Sequence, residues 1–314
     1  MSKGSSSAVR VFAPATVANV AVGYDILGFA LDAPGDEILA RYTDEPGLKI
    51  KSIHGTSKKL PREPELNTAT KGALALLTDL GKSDVGIEIE IHKKMPFGSG
   101  MGSSAASAAA GVLAVNELLG RPLRKNDLAK YAVIGESAAD GAMHGDNVIP
   151  SLVGGMVLIR DNATFDFIKL PVPHGLHVFL VHPEIEILTK DARAVLSNQV
   201  QLSQLIAQTG NIASFVAGLY TSDLDLISRS LQDHIIEKQR SQLIPHFQEM
   251  QSLALGRGAM NYTISGAGPS MFGFAINSFI ADEASQAVMD FLKSKGIESQ
   301  RYISGINTKG AYKM

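Results

Sequence analysis

The residues with the plainest chemical purpose lie together, in Met95-Pro96-Phe97-Gly98-Ser99-Gly100-Met101-Gly102-Ser103-Ser104-Ala105-Ala106. Glycine at every second position lets the backbone take positive φ and come close to a ligand. An alanine-rich run follows. If it is a helix, its unpaired N–H groups point back at the loop, and its dipole adds about half a positive charge there. Such a place favours an anion, and a polyphosphate can be held without a lysine in the loop. Two other phosphate loops are excluded by spacing. Gly-x-x-x-x-Gly-Lys-Ser/Thr needs lysine after Gly102, where Ser103 stands, and G-x-G-x-x-G begun at Gly98 needs glycine at that same residue. A flexible Gly/Ser connection is the bland alternative, and the strand-loop-helix setting argues against it.

A triphosphate in this cradle implies ATP and phosphoryl transfer, which also needs a metal ion and an acceptor site. Mg²⁺ takes one or two carboxylate or hydroxyl oxygens beside the phosphates and keeps several waters. Ser104 at the helix start and Glu136 on the following helix supply such a pair, although a helix carboxylate is more often simply solvated. Earlier in the chain, Asn19 and Asp25 stand out in the mostly apolar stretch from Ala15 to Leu31. They either turn inward as ligands or close their own turn as Asx motifs.

These residues need elements to hold them. Ile87-Glu88-Ile89-Glu90-Ile91 alternates strictly and predicts the strand that delivers the loop. Ser103 to Leu119 is the helix after it, and a further helix from an Asn126 cap to about Ala142 puts Glu136 and Asp140 on one face. Upstream, Val9 to Ala13 predicts a first strand, and Glu37 to Tyr42 and Leu48 to Ile53 predict a hairpin across Asp44-Glu45-Pro46-Gly47. Asn67 or Thr68 caps a helix that ends at Gly81. Leu152 to Ile159 predicts a strand and Asp161 to Pro173 a transition loop. Beyond it come a strand at His177 to Val181, a helix from Thr189, and helices over 195–219, 224–238 and 243–255. Strands Asn261–Ser265 and Ser270–Ile276 flank Gly266-Ala267-Gly268-Pro269. A helix over Ala281–Lys295 and strands over Glu298–Ile303 and Gly310–Lys313 finish the chain.

At 314 residues, and with about 150 residues per domain, two domains are expected, divided near residue 168 into 1–168 and 169–314. A chain 45% hydrophobic and 19% charged is ordinary globular material. The net charge of −2 gives no basic field for nucleic acid, so small-molecule partners are expected. There is no cysteine, hence no disulfide framework, and a cytoplasmic location is expected. Met1 to Ala8 reads as a loose polar tail, and apolar runs such as Ala105 to Val115 are too short to span a membrane.

The loop resembles the ATP-binding motif of the GHMP kinases (galacto-, homoserine, mevalonate and phosphomevalonate kinases), Pro-x-x-x-Gly-Leu-Gly-Ser-Ser-Ala-Ala. Met101, a volume-conserving swap, replaces its leucine. The segment starting Ala18-Asn-Val-Ala-Val-Gly-Tyr-Asp-Ile-Leu-Gly is similar to Ala-Asn-Leu-Gly-x-Gly-Phe-Asp-x-Leu-Gly, with Ala21 at a usual glycine. Glu136 followed by His144-Gly-Asp-Asn-Val, then Thr189-Lys-Asp-Ala-Arg-Ala-Val-Leu, Arg240-Ser-Gln-Leu-Ile-Pro-His-Phe and Ser265-Gly-Ala-Gly-Pro-Ser also look like family motifs.

The resemblance implies an α+β fold of two domains. The N-terminal one is S5-like with a left-handed βαβ unit, against the usual right-handed rule, and the C-terminal one is ferredoxin-like. It implies ATP and Mg²⁺ between the domains, with the phosphates on Pro96 to Ala106, the metal at Ser104 and Glu136, and Asn67 near the adenine. It implies L-homoserine as acceptor, held by Asn19, Asp25, His144, Arg193, Arg240 and the backbone from Gly266 to Gly268, and a homodimer. Asp25 and Asn19 suit an ammonium group, and arginine forks suit a carboxylate. Asp25, Asp140 and Asp146 are candidate bases, but no matching base element is found, so direct attack by the acceptor hydroxyl is expected. A kinase of the same family acting on mevalonate, a sugar or shikimate is the alternative, followed by a non-catalytic binding protein.

Overall fold

The computed structural model describes residues 8–140 and 143–314, and of Asp140 the backbone alone. The expected tail before Ala8, the helix end at Ala142 and the Asp140 side chain lie outside the described residues. The first part of the chain runs β1 (Ala8–Ala18), β2 (Leu27–Tyr42), β3 (Leu48–His54), α1 (Thr68–Asp79), β4 (Ile87–His92), α2 (Ser103–Leu118), α3 (Ala129–Asp140), α4 (Val148–Val153), β5 (Met156–Asp161) and β6 (Asp166–Leu170). The second runs β7 (His177–Pro183), α5 (Thr189–Ala194), α6 (Leu202–Thr221), α7 (Leu224–Ser230), α8 (Glu237–Arg240), α9 (Phe247–Gly256), β8 (Thr263–Ile264), β9 (Met271–Ala275), α10 (Ser278–Ser294), β10 (Ser299–Ser304) and β11 (Tyr312–Lys313).

Two sheets result. The first has the order β11-β1-β2-β4-β3, with β5 and then β6 added along the other half of β2. The second is antiparallel in the order β10-β7-β9-β8, the fourth, first, third and second strands of that half, which is the ferredoxin-like arrangement. The fold is α+β with two domains, as the resemblance implies.

The expected hairpin of β2 and β3 does not form, because β4 lies between them: antiparallel to β2 and parallel to β3. The two faces of β4 explain the insertion. Ile87, Ile89 and Ile91 are buried on one side. On the other, Glu88 and Glu90 pair with Arg41 of β2 on one flank and with Lys51 of β3, at 3.6 and 3.2 Å, on the other. A central position satisfies both faces at once.

Other boundaries also move. β1 continues past Pro14, which sits at a register shift before Thr16 where its missing N–H is tolerated. Leu152 and Val153, expected to begin a strand, instead end the helix Val148–Val153: Pro150 falls in its first turn, and Gly154 and Gly155, both at positive φ, end it before β5. β6 occupies part of the expected transition loop. Helix 224–238 breaks after Ser230 because the Asp233 carboxylate accepts the N–H groups of Ile235, Ile236 and Glu237, capping α8 instead.

The expected division at 168 falls inside β6, which pairs with β5 of the first sheet, and the second sheet begins at His177. We therefore propose a domain division between 170 and 177. The C-terminus then crosses back, β11 pairing with β1. The domains also share one core, in which Phe29 of β2 meets Phe272 and Phe274 of β9 at ring-centroid distances of 5.8 and 5.4 Å. Helix α2 lies at its centre, buried along nearly its whole length. Its small residues allow the approach: a side chain at Gly111 would strike the Ala69 carbonyl of α1.

Candidate active site

The loop leaves β4 and enters α2 as the sequence requires. Gly98, Gly100 and Gly102 sit at φ of 62°, 74° and 68°, the left-handed region that favours glycine. Two of them also make room for neighbours. A Cβ on Gly100 would stand 2.5 Å from the Ser265 carbonyl oxygen, and one on Gly102 would collide with the Thr16 hydroxyl. The second domain grips the loop here, with Ser265 Oγ donating to the Gly100 carbonyl at 2.7 Å and Ser270 N–H to that of Ser99 at 3.2 Å. Among the described residues no side chain caps α2, so its first N–H groups remain for a ligand.

A cavity of about 730 Å³ lies over this loop between the domains. One end is formed by Lys59, Leu60, Pro61, Leu66 and Asn67, and the loop contributes Phe97 to Gly100 and Gly102 to Ser104. Asn67 is held by capping α1, its Oδ1 accepting from Ala69 N at 3.0 Å and its Nδ2 donating to Pro61 O at 2.7 Å. Pro96, Met101, Ala105 and Ala106 do not line the cavity. Met101, Ala105 and Ala106 are fully buried, and they hold the loop from below. Ser104 and Glu136 do meet: the serine Oγ donates to Glu136 Oε1 at 2.6 Å beside the cavity.

Beneath α2 the structure adds a pair that local sequence did not indicate. Lys93 and Asp36, both buried, form an ion pair. Lys93 Nζ also donates to Ser103 O and Ser107 Oγ, each at 2.8 Å. Asp36 accepts from Ser103 Oγ at 2.9 Å and from Lys94 N–H at 2.8 Å. Every hydrogen-bonding group of the cluster is thus matched, which a buried charge requires, and the end of β4 is tied to the first turn of α2. Lys93 also lines the cavity.

The opposite end of the cavity contains Asn19, Asp25, His144, Arg193, Arg240, Gly266 and Gly268, all of the residues the resemblance assigned to an acceptor. The loop bearing the first two is contorted, with Asn19, Val20, Ala21 and Asp25 at positive φ, a costly state for non-glycine residues and most of all for valine. Asn19 closes its own turn, its Oδ1 accepting from Asp25 N–H at 3.1 Å, while its Nδ2 reaches across the domains to Gly266 O at 2.8 Å. Asp25 and Arg193 pair as forks at 3.2 and 3.3 Å, with His144 Nδ1 at 3.5 Å from the same carboxylate. Arg240, almost wholly buried, donates to Ala192 O at 2.9 Å, Gly266 O at 3.0 Å and the Tyr24 hydroxyl at 3.2 Å.

Asp146 sits at this end as well, buried and lining the cavity. Burial first, and then the negative charge of Asp25, push its carboxyl up to about 7. Burial and Asp25 likewise raise the Tyr24 phenol, while desolvation lowers the Arg240 guanidinium. Asn147 follows, its Oδ1 accepting from Thr16 Oγ1 at 2.7 Å. Lys93, Asp36, Tyr24 and Thr16 come from strands and turns far apart in sequence; Thr16 and Tyr24 are marked by being polar within an apolar stretch, whereas Lys93 and Asp36 lie among other charged residues that give no such signal.

The glycine loop and a fork of opposite charges thus line one interdomain cavity, and known proteins share this frame. The families described as "GHMP kinases N terminal domain" and "GHMP kinases C terminal" match residues 67–155 and 215–294. The chain belongs to the GHMP kinase family and is an ATP-dependent kinase. Within it, the likeness runs to homoserine kinases. One from Chlorobium phaeovibrioides is 44% identical, with 96% of this chain and 98% of that protein covered, and one from Xylella fastidiosa strain M12 is 41% identical over 96% and 92%. The crystal structure of homoserine kinase from Cytophaga hutchinsonii superposes with a TM-score of 0.96 at 46% identity, covering 100% of this chain and 99% of that one. The fold extends to a mevalonate kinase from L. major, at TM-score 0.71 and 18% identity over 98% and 99%. No helix among the described residues is long and apolar enough to cross a membrane.

Proposed function

We propose that this chain transfers the γ-phosphoryl group of ATP to the side-chain hydroxyl of L-homoserine, giving ADP and O-phospho-L-homoserine, a step of threonine biosynthesis. The observation that carries the reading is the fork pair of Asp25 and Arg193 beside Arg240, set across the cavity from the phosphate loop. An amino acid presents an ammonium and a carboxylate, for which these groups are the complements. Mevalonate and neutral sugars have no ammonium to offer Asp25.

The Ser104 hydroxyl and the Glu136 carboxylate, 2.6 Å apart, are hard oxygen donors that would hold Mg²⁺, which would offset negative charge on the phosphates. The chain's own residues do the rest. The loop amides and the α2 N-terminus take up charge on the transferring group. Asn19, Asp25, His144, Arg193 and Arg240 align the acceptor so that its hydroxyl oxygen attacks the γ-phosphorus as the bond to the bridging oxygen breaks. The hydroxyl proton is released to solvent water without a dedicated side-chain base. Asn67 and the wall from Lys59 to Leu66 receive the adenine side of ATP.

With ATP as donor, the reaction belongs in the cytoplasm. The active species in this reading is a homodimer, and the outer face of α6 supports it. No residue between Arg193 and Asp223 is charged, in a chain with 19% charged residues. Leu202, Leu205, Ile206 and Tyr220 are nevertheless exposed.

ADP release in a coupled assay with Mg-ATP tests the function. Turnover with L-homoserine well above that with mevalonate, galactose or shikimate is expected. Equal rates with all four would refute the acceptor, and no ADP with any would leave a binding protein.

A further inference from the structure

The Asp25–Arg193 pair and Arg240 do not stand alone, because a phenol oxygen lies between the two guanidinium groups. Tyr24 belongs to the contorted loop but does not line the main cavity. It backs the arginines, facing a void of about 10 Å³ shared with Asp233, Glu237 and Thr263. Its hydroxyl oxygen accepts from Arg193 Nη1 at 3.0 Å and from Arg240 Nη2 at 3.2 Å. Its ring carries both cations, with the Arg240 guanidinium 4.8 Å and the Arg193 guanidinium 5.9 Å from the centroid.

We infer that Tyr24 is a positioning residue of the acceptor-carboxylate site, its hydroxyl fixing the spacing and tilt of the Arg193 and Arg240 forks. Two guanidinium groups side by side repel each other, and a shared acceptor with two lone pairs offsets that repulsion while orienting both planes. Each arginine is also anchored on another edge, Arg240 by the carbonyls of Ala192 and Gly266 and Arg193 by Asp25. The donors that remain on Arg240 are therefore set before a ligand arrives, so less ordering is needed on binding. The benefit falls on a carboxylate. An acceptor with the same hydroxyl and ammonium but no carboxylate gains little from the bridge, which makes Tyr24 a determinant of acceptor class.

This inference rests on the amino-acid reading of the site, and the test separates the two. Tyr24→Phe keeps the ring under both cations and removes one oxygen. With the variant, KM for L-homoserine should rise about tenfold, the worth of a hydrogen bond to a charged group. The turnover number and KM for ATP should stay within about twofold. L-homoserinol, in which a hydroxymethyl group replaces the carboxylate, is the second acceptor, and the preference for L-homoserine over it should shrink by the same factor. Calorimetric titration of L-homoserine without ATP should show the same weakening. An unchanged KM for L-homoserine, or an equal loss on both acceptors, overturns the role of Tyr24. Failure of the amino-acid reading itself shows earlier, as no turnover of L-homoserine by the unaltered protein.

Discussion

Asp146→Asn tests the electrostatics of the acceptor end directly. Burial and the nearby Asp25 carboxylate raise the Asp146 carboxyl from its ordinary 3.8 to about 7. At 1.36 kcal/mol per pH unit, the folded state therefore bears ~4 kcal/mol against the ionised form. The folded protein holds this proton more tightly than the unfolded chain. Stability from this group is thus fully present below pH 3.8, declines as pH rises from 3.8 to about 7, and is lost above that. Asparagine has no charge to bury. Urea unfolding of both proteins at a series of pH values should give nearly equal stability at pH 4. The variant should be ahead by ~2 kcal/mol near pH 5.5 and by ~4 kcal/mol at pH 7.5 and above. A difference that does not change with pH, or a variant less stable at pH 8, would refute the reasoning. The same protein addresses the proton. Without a dedicated base its turnover stays within about tenfold, whereas a loss of a hundredfold or more would make Asp146 the acceptor of the hydroxyl proton.

Glu136→Gln should lower the turnover number by about two orders of magnitude and raise the Mg²⁺ concentration needed for half-maximal rate, with Ser104→Ala milder, as measured by steady-state kinetics across a Mg²⁺ series. Gly100→Ala places a methyl group 2.5 Å from Ser265 O at φ of 74°. It should cost about 1–3 kcal/mol in urea unfolding and weaken ATP binding at least tenfold by calorimetry. Ile206→Glu on the outer face of α6 should convert a dimer to a monomer by light scattering while leaving the thermal midpoint of the monomer unchanged, since the side chain is 63% exposed. A dimer that persists in this variant would move the interface elsewhere.

The phosphate loop was legible because everything that makes it is local: three glycines, three serines and a following run of small residues. The Asn67 cap and the face of α3 that carries Glu136 were legible for the same reason. The hairpin of β2 and β3 was misread because its turn chemistry is sound. What overrides it is a long-range match, the glutamates of β4 against Arg41 and Lys51, which no window of sequence displays. Helix α4 was hidden by its apolar composition, which serves a buried helix and a buried strand equally. The Lys93–Asp36 pair joins β2 to the end of the neighbouring strand β4, far away in sequence. It would have been found by asking which buried strand carries an aspartate and what cation could reach it. Tyr24 and Asp146 lay inside stretches already singled out, but their roles depend on which charges the second domain brings against them.

One short turn of the second domain reaches both parts of the cavity lining. Ser265 Oγ binds the Gly100 carbonyl of the phosphate loop, and the next residue, Gly266, accepts at its carbonyl from both Asn19 and Arg240. Two consecutive residues therefore touch the donor end and the acceptor end of the cavity. In the reaction proposed above, that turn would set the separation of phosphorus and attacking oxygen, because it binds both groups of residues at once. In-line transfer is steep in this distance, a misplacement of 1 Å costing about a hundredfold. This accounts for Gly100, whose missing side chain matters as much to the approach of Ser265 as to any phosphate. It also accounts for the strain in the loop from Asn19 to Asp25, where valine and alanine are held at positive φ. That loop must bring Asn19 to Gly266 and Asp25 to Arg193 within seven residues, and an unstrained path would release one contact or the other.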